Sequence, residues 1–333
     1  MEYFTVVIMS SFKPQPQITL NTLLQACNER GWKHVVVLYY RYAFVENPKR
    51  LKQEQVRLCN RLEINGRIII ANEGINGILE GTPESIHTYC TKLSKQKRFR
   101  GIHFKYSQGE GDAFPGLSIK VRPEIVALKL GDEDINPAQF TAPRIAASEL
   151  HELFQRDEDF TIIDMRNDYE HAVGYFAKSR LPSMHRFREL PEKLHELEDL
   201  KNEKVITVCT GGVRCEKASA LLLKSGFTDV QQLDGGMVTY MEQYPLQNYH
   251  GAMYTFDKRK VIDYDGGAHE MISQCLYCRD ATERYIDCQK AMCNKHCLVC
   301  DVCCEKHGQY CSQLCANTST KEYNRSMSKT LAD

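Results

Sequence analysis

The feature that most restricts the fold is a strand, a loop and a helix in immediate succession. Lys204-Val205-Ile206-Thr207-Val208 is an apolar run of the kind buried in a parallel sheet. CTGGVRC, Cys209 to Cys215, follows it, and Glu216 to Lys224 carries a helical pattern that Gly226 stops. A cysteine between a strand end and a helix start meets unpaired backbone N–H groups and the positive end of the helix dipole, and both favour an anion. A thiol so placed loses its proton more readily, and the thiolate is the nucleophile. Gly211 and Gly212 let the loop Thr210, Gly211, Gly212, Val213 curl so that successive amides point at one sulfur. Arg214 adds a fixed positive charge on the rim. A free cysteine is more often a buried structural residue, but this order of elements makes Cys209 the expected reactive thiol. Cys215 either resolves an oxidised Cys209 as a disulfide or is an inert helix-start residue, because the sequence does not give the separation a disulfide needs.

The surroundings support an α/β reading. Phe160 to Asp164 is a strand ending in a carboxylate, and Asp229 to Leu233 is a further strand before Asp234-Gly235-Gly236. Strands alternating with helical stretches over 147–246 predict a parallel sheet, with ligands beyond the carboxyl ends of its strands, where Cys209 lies. Asp164, Arg166 and Glu170 are expected near the top of the neighbouring strand as ion pairs that brace the loop.

A different pattern precedes this region. His34 to Val45 is strand-like, Pro48 opens a helix, Gly66 to Ala71 is a second strand, Asn72-Glu73-Gly74 and Asn76-Gly77 are turn material and Ile78 to Glu80 is a third strand. Thr82 caps a second helix running to about Lys95, and Ile102 to Tyr106 is a fourth strand. The order βαββαβ over 34–130 is that of a ferredoxin-like domain. Residues 1–33 are expected as an N-terminal extension and 317–333 as a flexible tail. Three such parts fit a chain of 333 residues.

The cysteines divide by position. Of the 15, ten crowd into Cys275 to Cys315, a stretch with little apolar content of its own. A unit this small needs a metal or cross-links to hold a fold. Cys275, Cys278, Cys288, Cys293, Cys300, Cys303, Cys311 and Cys315 supply enough thiolates for up to two tetrahedral sites over 270–316. Structural zinc is favoured over an iron–sulfur cluster because nothing else in the chain requires electron transfer. Cys297, Cys304, His296 and His307 are spare ligands, and the spacing does not distinguish sequential from interleaved pairing. No apolar run approaches the roughly 20 residues of a membrane helix, and Tyr3 to Met9 lacks the flanks of a signal peptide, so a cytoplasmic protein without membrane partners is expected. No nucleotide-binding glycine fingerprint or two-His-one-carboxylate pattern is present, and no flavin, haem or nicotinamide site is recognised.

Lysine plus arginine equals aspartate plus glutamate, 43 against 43, which argues against indiscriminate nucleic-acid binding but not against a local basic face. Lys92, Lys95, Lys97, Arg98 and Arg100 form a basic run at the end of the second helix, with Lys120 and Arg122 further on. They are either phosphate contacts or an ordinary solvated helix end.

The middle segment resembles a rhodanese domain. IDMRNDYEHAVGYF (Ile163 to Phe176), CTGGVRC and LDGGMVTY (Leu233 to Tyr240) are similar to that fold's early, active-loop and closing motifs. With GRIIIANEGINGILEG in the first part and the CxxC-rich tail, the chain from about His34 to Cys315 resembles the rhodanese-domain tRNA uridine hydroxylases. The resemblance implies oxygen-dependent hydroxylation of the wobble uridine to 5-hydroxyuridine, with molecular oxygen as co-substrate, the tRNA anticodon loop as partner and Cys209 as a persulfide-carrying catalytic cysteine. It leaves the sulfur or electron donor open. A splayed wobble base stacks on an aromatic ring in such a scheme, with Tyr175, Phe176 and Tyr240 as candidates. The loop itself has four residues between Cys209 and Arg214. Related cysteine phosphatases have one more, and the tighter loop suits a sulfur adduct better than a phosphate. Two other readings stand beside this one: a sulfurtransferase using thiosulfate or a persulfide donor, and a catalytically silent metal-stabilised RNA-binding scaffold.

Overall fold

A computed structural model of the chain describes residues 17–131, 135–262, 264 and 269–317. Tyr3 to Met9, Lys13 to Pro16 and the tail after Asn317 lie outside the described residues.

The first unit contains α1 (Leu23–Arg30), β1 (His34–Tyr42), α2 (Pro48–Arg61), β2 (Asn65–Ala71), β3 (Gly74–Gly81), α3 (Pro83–Ser94), β4 (His103–Gly109) and β5 (Leu117–Val121). Its sheet runs β4-β1-β3-β2-β5. The first four strands are antiparallel neighbours in the ferredoxin-like order, and β5 adds a parallel edge to β2. Pro48 and Pro83 open their helices, and the Asn47 and Thr82 side chains accept from the backbone N–H of Arg50 and Ser85. Two readings change. The stretch before β1 contains α1, whose Leu23 and Cys27 join the core of this unit. The third strand begins at Gly74, so the turn is confined to Asn72 and Glu73. Gly-Ile-Asn-Gly has turn composition, but Gly77 is needed for packing: a Cβ there would lie 2.4 Å from the Tyr39 ring.

β1 explains why the next unit docks where it does. Val35, Val37 and Tyr39 face the helices in the core. The alternate residues Val36, Leu38, Tyr40 and Tyr42 face the other way, so a strand apolar at nearly every position is covered on both sides.

The second unit contains β6 (Arg144–Ile145), α4 (Ala147–Gln155), β7 (Thr161–Asp164), α5 (Asp168–His171), β8 (Gly174–Phe176), β9 (Ser179–Arg180), α6 (Leu190–Lys193), β10 (Lys204–Val208), α7 (Val213–Lys224), β11 (Asp229–Leu233) and α8 (Gly236–Gln243). The sheet order is β6-β11-β10-β7-β9, parallel throughout. One core holds Leu197, Leu200, Ala218 and Leu222, and another holds Leu150, Ile206, Met237 and Met241. Together they bury the central strand β10, as the apolar run 204–208 requires.

The third unit begins with β12 (Tyr249–Gly251), paired antiparallel with β8, and continues through β13 (Met253–Tyr254), β14 (Val261–Ile262), β15 (Tyr285–Asp287), β16 (His296–Leu298) and α9 (Asp301–His307). Its own apolar core is small, centred on Cys275, Ile286, Cys297, Val299 and Cys303.

Candidate active site

Cys209 follows the last residue of β10 and is fully buried. The loop turns through Gly212, whose φ of 95° is left-handed, into the first turn of α7. Gly212 donates its N–H to the Cys209 sulfur at 3.2 Å. Gly211 serves a different purpose from the expected curl: a Cβ there would lie 2.6 Å from Leu38 Cδ2, so its missing side chain lets the first unit's sheet approach. The start of α8 holds the other side of the loop. Met237 and Val238 donate N–H bonds to the carbonyls of Cys209 and Thr210, at 2.9 and 3.0 Å. Gly236, at φ 71°, lies so close to the loop that a Cβ would come within 2.6 Å of the Cys209 oxygen, which accounts for the Asp-Gly-Gly of the closing motif.

Burial opposes ionisation of Cys209. The hydrogen bond from the Cys215 thiol, the Arg214 charge and the N–H groups of Cys215 and Arg214 outweigh it and bring the thiol down to about 6. Cys215 is itself fully buried, and burial together with the thiolate beside it pushes its own ionisation well up. It is a neutral donor to the Cys209 sulfur.

Arg214 is fixed by Glu170 of α5 in a buried two-point pair, at 2.5 and 2.7 Å, with Thr210 Oγ1 accepting a third bond at 3.3 Å. The Phe256 ring lies against the guanidinium, 5.6 Å from its centre. Asp164 and Arg166 form a separate, fully buried pair at 2.7 Å. Arg166 also donates to the Gly174 carbonyl and to the Tyr249 hydroxyl, so this pair fastens β8 and β12 to the end of β7. The three charged residues therefore brace the loop as expected, Glu170 directly and the other two through the backbone around it.

The first unit completes the site. Its sheet face carries a cross-strand row, Arg67, Ile78, Leu38 and Lys105, one residue from each of four strands. The buried Lys105 donates to the Gly211 carbonyl at 2.8 Å, and its ammonium lies 4.9 Å from the centre of the Tyr40 ring. Burial pulls Lys105 down to about 8, against the opposing pull of Cys209 and the carboxylates of Asp234, Glu242 and Glu216. Tyr40 donates to Glu216 at 3.0 Å, Tyr42 to the Val213 carbonyl at 3.2 Å, and Glu216 also holds Arg144. Lys217 is buried between Glu73 and Glu124, at 2.9 and 2.7 Å. Lys105 and Tyr40 belong to no motif, while Glu216 and Lys217 directly follow CTGGVRC in the family's active-loop motif. The signal for Lys105 and Tyr40 was the two-sided apolar pattern of β1 and the lysine at an alternate position of β4, which place charge on a covered sheet face.

Between these surfaces lies a cavity of about 720 Å³, lined by Cys209, Thr210, Gly211, Val213 and Arg214 from the loop and by Leu38, Tyr40, Ile78 and Lys105 from the sheet. Phe187 and Phe256 add aromatic walls, and Arg67, Arg122, Lys129, Arg186, Arg188 and Arg259 bring positive charge to it. Among the described residues, the side chains of Arg122, Lys129, Arg186 and Arg188 have no acidic partner.

Profiles of three families match in series: the UPF0176 acylphosphatase like domain over residues 34–125, the rhodanese-like domain over 146–243 and the rhodanase C-terminal over 250–316. A tRNA uridine(34) hydroxylase of Cytophaga hutchinsonii is 38% identical over 280 residues, covering 84% of this chain and 89% of that protein. One from Bacillus cereus strain G9842 is 38% identical over 291 residues, covering 86% and 91%. The chain belongs to the tRNA uridine(34) hydroxylase family. Among solved structures, a rhodanese-like domain protein from Staphylococcus aureus is 31% identical with a TM-score of 0.26, covering 29% of this chain and 90% of that one.

In this family member the eight tail thiols form two groups, Cys275, Cys278, Cys300 and Cys303, and Cys288, Cys293, Cys311 and Cys315, each with its sulfurs within 4.8 Å of one another. Pairing is therefore interleaved. The closest sulfurs stand 3.6 to 3.8 Å apart. Four thiolates about 2.3 Å from one ion in tetrahedral array give nearly that separation, so both groups fit a metal ion. The spare ligands have other roles: His296 stacks on Tyr285 and bonds Asp287, and His307 stacks on Tyr277.

The basic run lies elsewhere. Lys92, Lys95, Lys97, Arg98 and Arg100 sit at the end of α3 and just beyond it, and none lines the cavity. The rings singled out for stacking do not line it either. Phe176 and Tyr240 are fully buried against each other, and Tyr175 packs on His250. The period-2 alternation of β8 and the helical face of α8 turn Phe176 and Tyr240 into the domain core. The rings that do line the cavity, Tyr40, Tyr106, Phe187 and Phe256, sit in segments with no recognisable motif. Among the described residues, no helix is long and apolar enough to cross a membrane.

Proposed function

We propose that this protein hydroxylates uridine 34 of tRNA to 5-hydroxyuridine in the cytoplasm, with molecular oxygen as co-substrate and Cys209 as the reactive sulfur, carried as thiolate or persulfide. The observation that carries this reading is the position of that sulfur. In a chain 38% identical to tRNA uridine(34) hydroxylases, it lines a cavity of about 720 Å³ bounded by aromatic rings and cations. That volume is in the range of small-molecule sites and suits one splayed nucleotide. Arg122, Lys129, Arg186 and Arg188 take the phosphates of the anticodon loop, and Tyr40, Phe187 or Phe256 stacks the base. The basic run Lys92, Lys95, Lys97, Arg98 and Arg100 contacts the tRNA outside the cavity. Arg214 and the amides of Gly212, Arg214 and Cys215 stabilise the charge on sulfur, and the Cys215 thiol donates to it and resolves an oxidised form. Two zinc ions, one in each four-thiolate group, hold the tail.

The test is nucleoside analysis of tRNA from a deletion strain complemented with wild type or with Cys209→Ala. Products derived from 5-hydroxyuridine return with wild type only. Their return with the alanine variant would overturn the role of Cys209. Thiocyanate release from thiosulfate and cyanide, with tRNA unchanged by the deletion, would establish sulfur transfer instead.

A further inference from the structure

The loop around Cys209 is gripped from outside its own domain. The Gly211 carbonyl and the Gly212 N–H belong to one planar trans peptide unit, so they point in opposite directions. On one side the Lys105 ammonium donates to that carbonyl at 2.8 Å, and on the other the N–H donates to the Cys209 sulfur at 3.2 Å. Flanked by two glycines, this peptide has no side chain of its own to fix its direction, and Gly236, which lies against it, has no side chain to hold it. Helix α7 supplies no constraint there, since it begins at Val213. Leu38 packs against Gly211 from the same sheet face, which keeps the carbonyl within reach of the lysine.

We propose that Lys105 is a positioning residue for Cys209: by holding the Gly211 carbonyl it aims the Gly212 N–H at the sulfur, so the anion site is complete only when the first unit's sheet is docked. Lys105 acts through the peptide and also places a cation in the same cavity. The titratable and charged groups facing it are Cys209, Asp234, Glu242 and Glu216, and those facing the sulfur are Arg214, the neutral Cys215 thiol and the Tyr40 and Tyr42 phenols. None of the others touches the Gly211 carbonyl among the described residues. The inference rests on Cys209 being the reactive thiol but not on the identity of the substrate.

The experiment follows iodoacetamide alkylation of the Cys209 peptide against pH by mass spectrometry, on the full chain without tRNA. Lys105→Met raises the midpoint by about one pH unit or more. Glu73→Gln, which weakens the same interface at Lys217 without touching the loop, leaves the midpoint where it is. If the methionine variant does not fold, Lys105→Leu carries the same expectation, whereas Lys105→Gln, whose amide can still donate to the Gly211 carbonyl, shifts the midpoint less. An unchanged midpoint on loss of the Lys105 ammonium overturns the proposal, as does an equal shift in Glu73→Gln, which would make docking alone responsible. Because no tRNA is present, failure here is distinct from failure of the hydroxylase reading.

Discussion

At the scale of single residues, the site works by opposing burial with directed charge. Cys209 is fully buried, which favours the neutral thiol, yet hydrogen bonds and Arg214 hold it down to about 6. A group depressed in this way is ionised above that value and protonated below it. The rate of Cys209 alkylation is therefore expected to be flat above neutrality and to fall tenfold per pH unit well below about 6. An ordinary thiol midpoint near 8.5 would contradict the arrangement. Glu170→Ala leaves Arg214 buried without its counter-charge, so it should cost roughly 3–5 kcal/mol of stability in denaturant unfolding and slow Cys209 alkylation at pH 7. Glu170→Gln should cost less, because the amide oxygen still accepts. Cys209 and Arg214 were legible in the sequence as a candidate nucleophile and its counter-charge, since strand, loop and helix are contiguous there. Glu170 was legible only as one member of an expected ion-pair group, because its bond to Arg214 spans 44 positions.

At the scale of elements, glycine composition misleads where packing requires it. Gly74 and Gly77 lie in β3 because the neighbouring strand, through the Arg41 and Tyr42 backbone and the Tyr39 ring, occupies the space side chains would need, whereas Gly211 and Gly236 bring a sheet and a helix onto the loop. Composition alone does not separate these cases from a turn. A second coupling joins the tail to the site. Tyr285 of β15 donates its hydroxyl to the Tyr169 carbonyl in α5, one residue before Glu170. His296 stacks on the Tyr285 ring at 4.5 Å. Tyr285→Phe should cost about 1 kcal/mol in unfolding experiments. With zinc in the two thiol groups, as proposed above, a chelator should reduce modification of tRNA and slow Cys209 alkylation together, because unfolding of the tail would take the Tyr285 hydroxyl from the Tyr169 carbonyl. Chelation that leaves both rates intact would separate the tail from the site.

At the scale of the whole molecule, the cavity exists because two units share it. The apolar pattern of β1 is that of a strand covered on both faces, but it does not say by what, and so the part played by Lys105, Tyr40 and Lys217 was not legible in the sequence. The cations at the cavity come from all three units: Arg67 and Arg122 from the first unit and the segment after it, Arg186 and Arg188 from the second, and Arg259 from the third. Replacing Arg122, Arg186 and Arg188 with alanine should weaken tRNA binding and flatten its dependence on salt, by roughly 0.7–0.9 in log–log slope for each phosphate no longer neutralised. Lys95→Ala with Arg98→Ala should weaken binding without altering Cys209 alkylation, since neither residue reaches the cavity.

The interleaved thiol groups bear on how the tail assembles. The segment between Cys278 and Cys300, both of one group, contains Cys288 and Cys293 of the other, and the segment from Cys293 to Cys311 spans Cys300 and Cys303 in return. Each ion would close a loop that carries ligands of the other, so filling one site orders the segment that bears ligands of the other. Titration with a chelator should accordingly release the two ions in a single step, and a mutation at any one of the eight sulfurs should empty both sites.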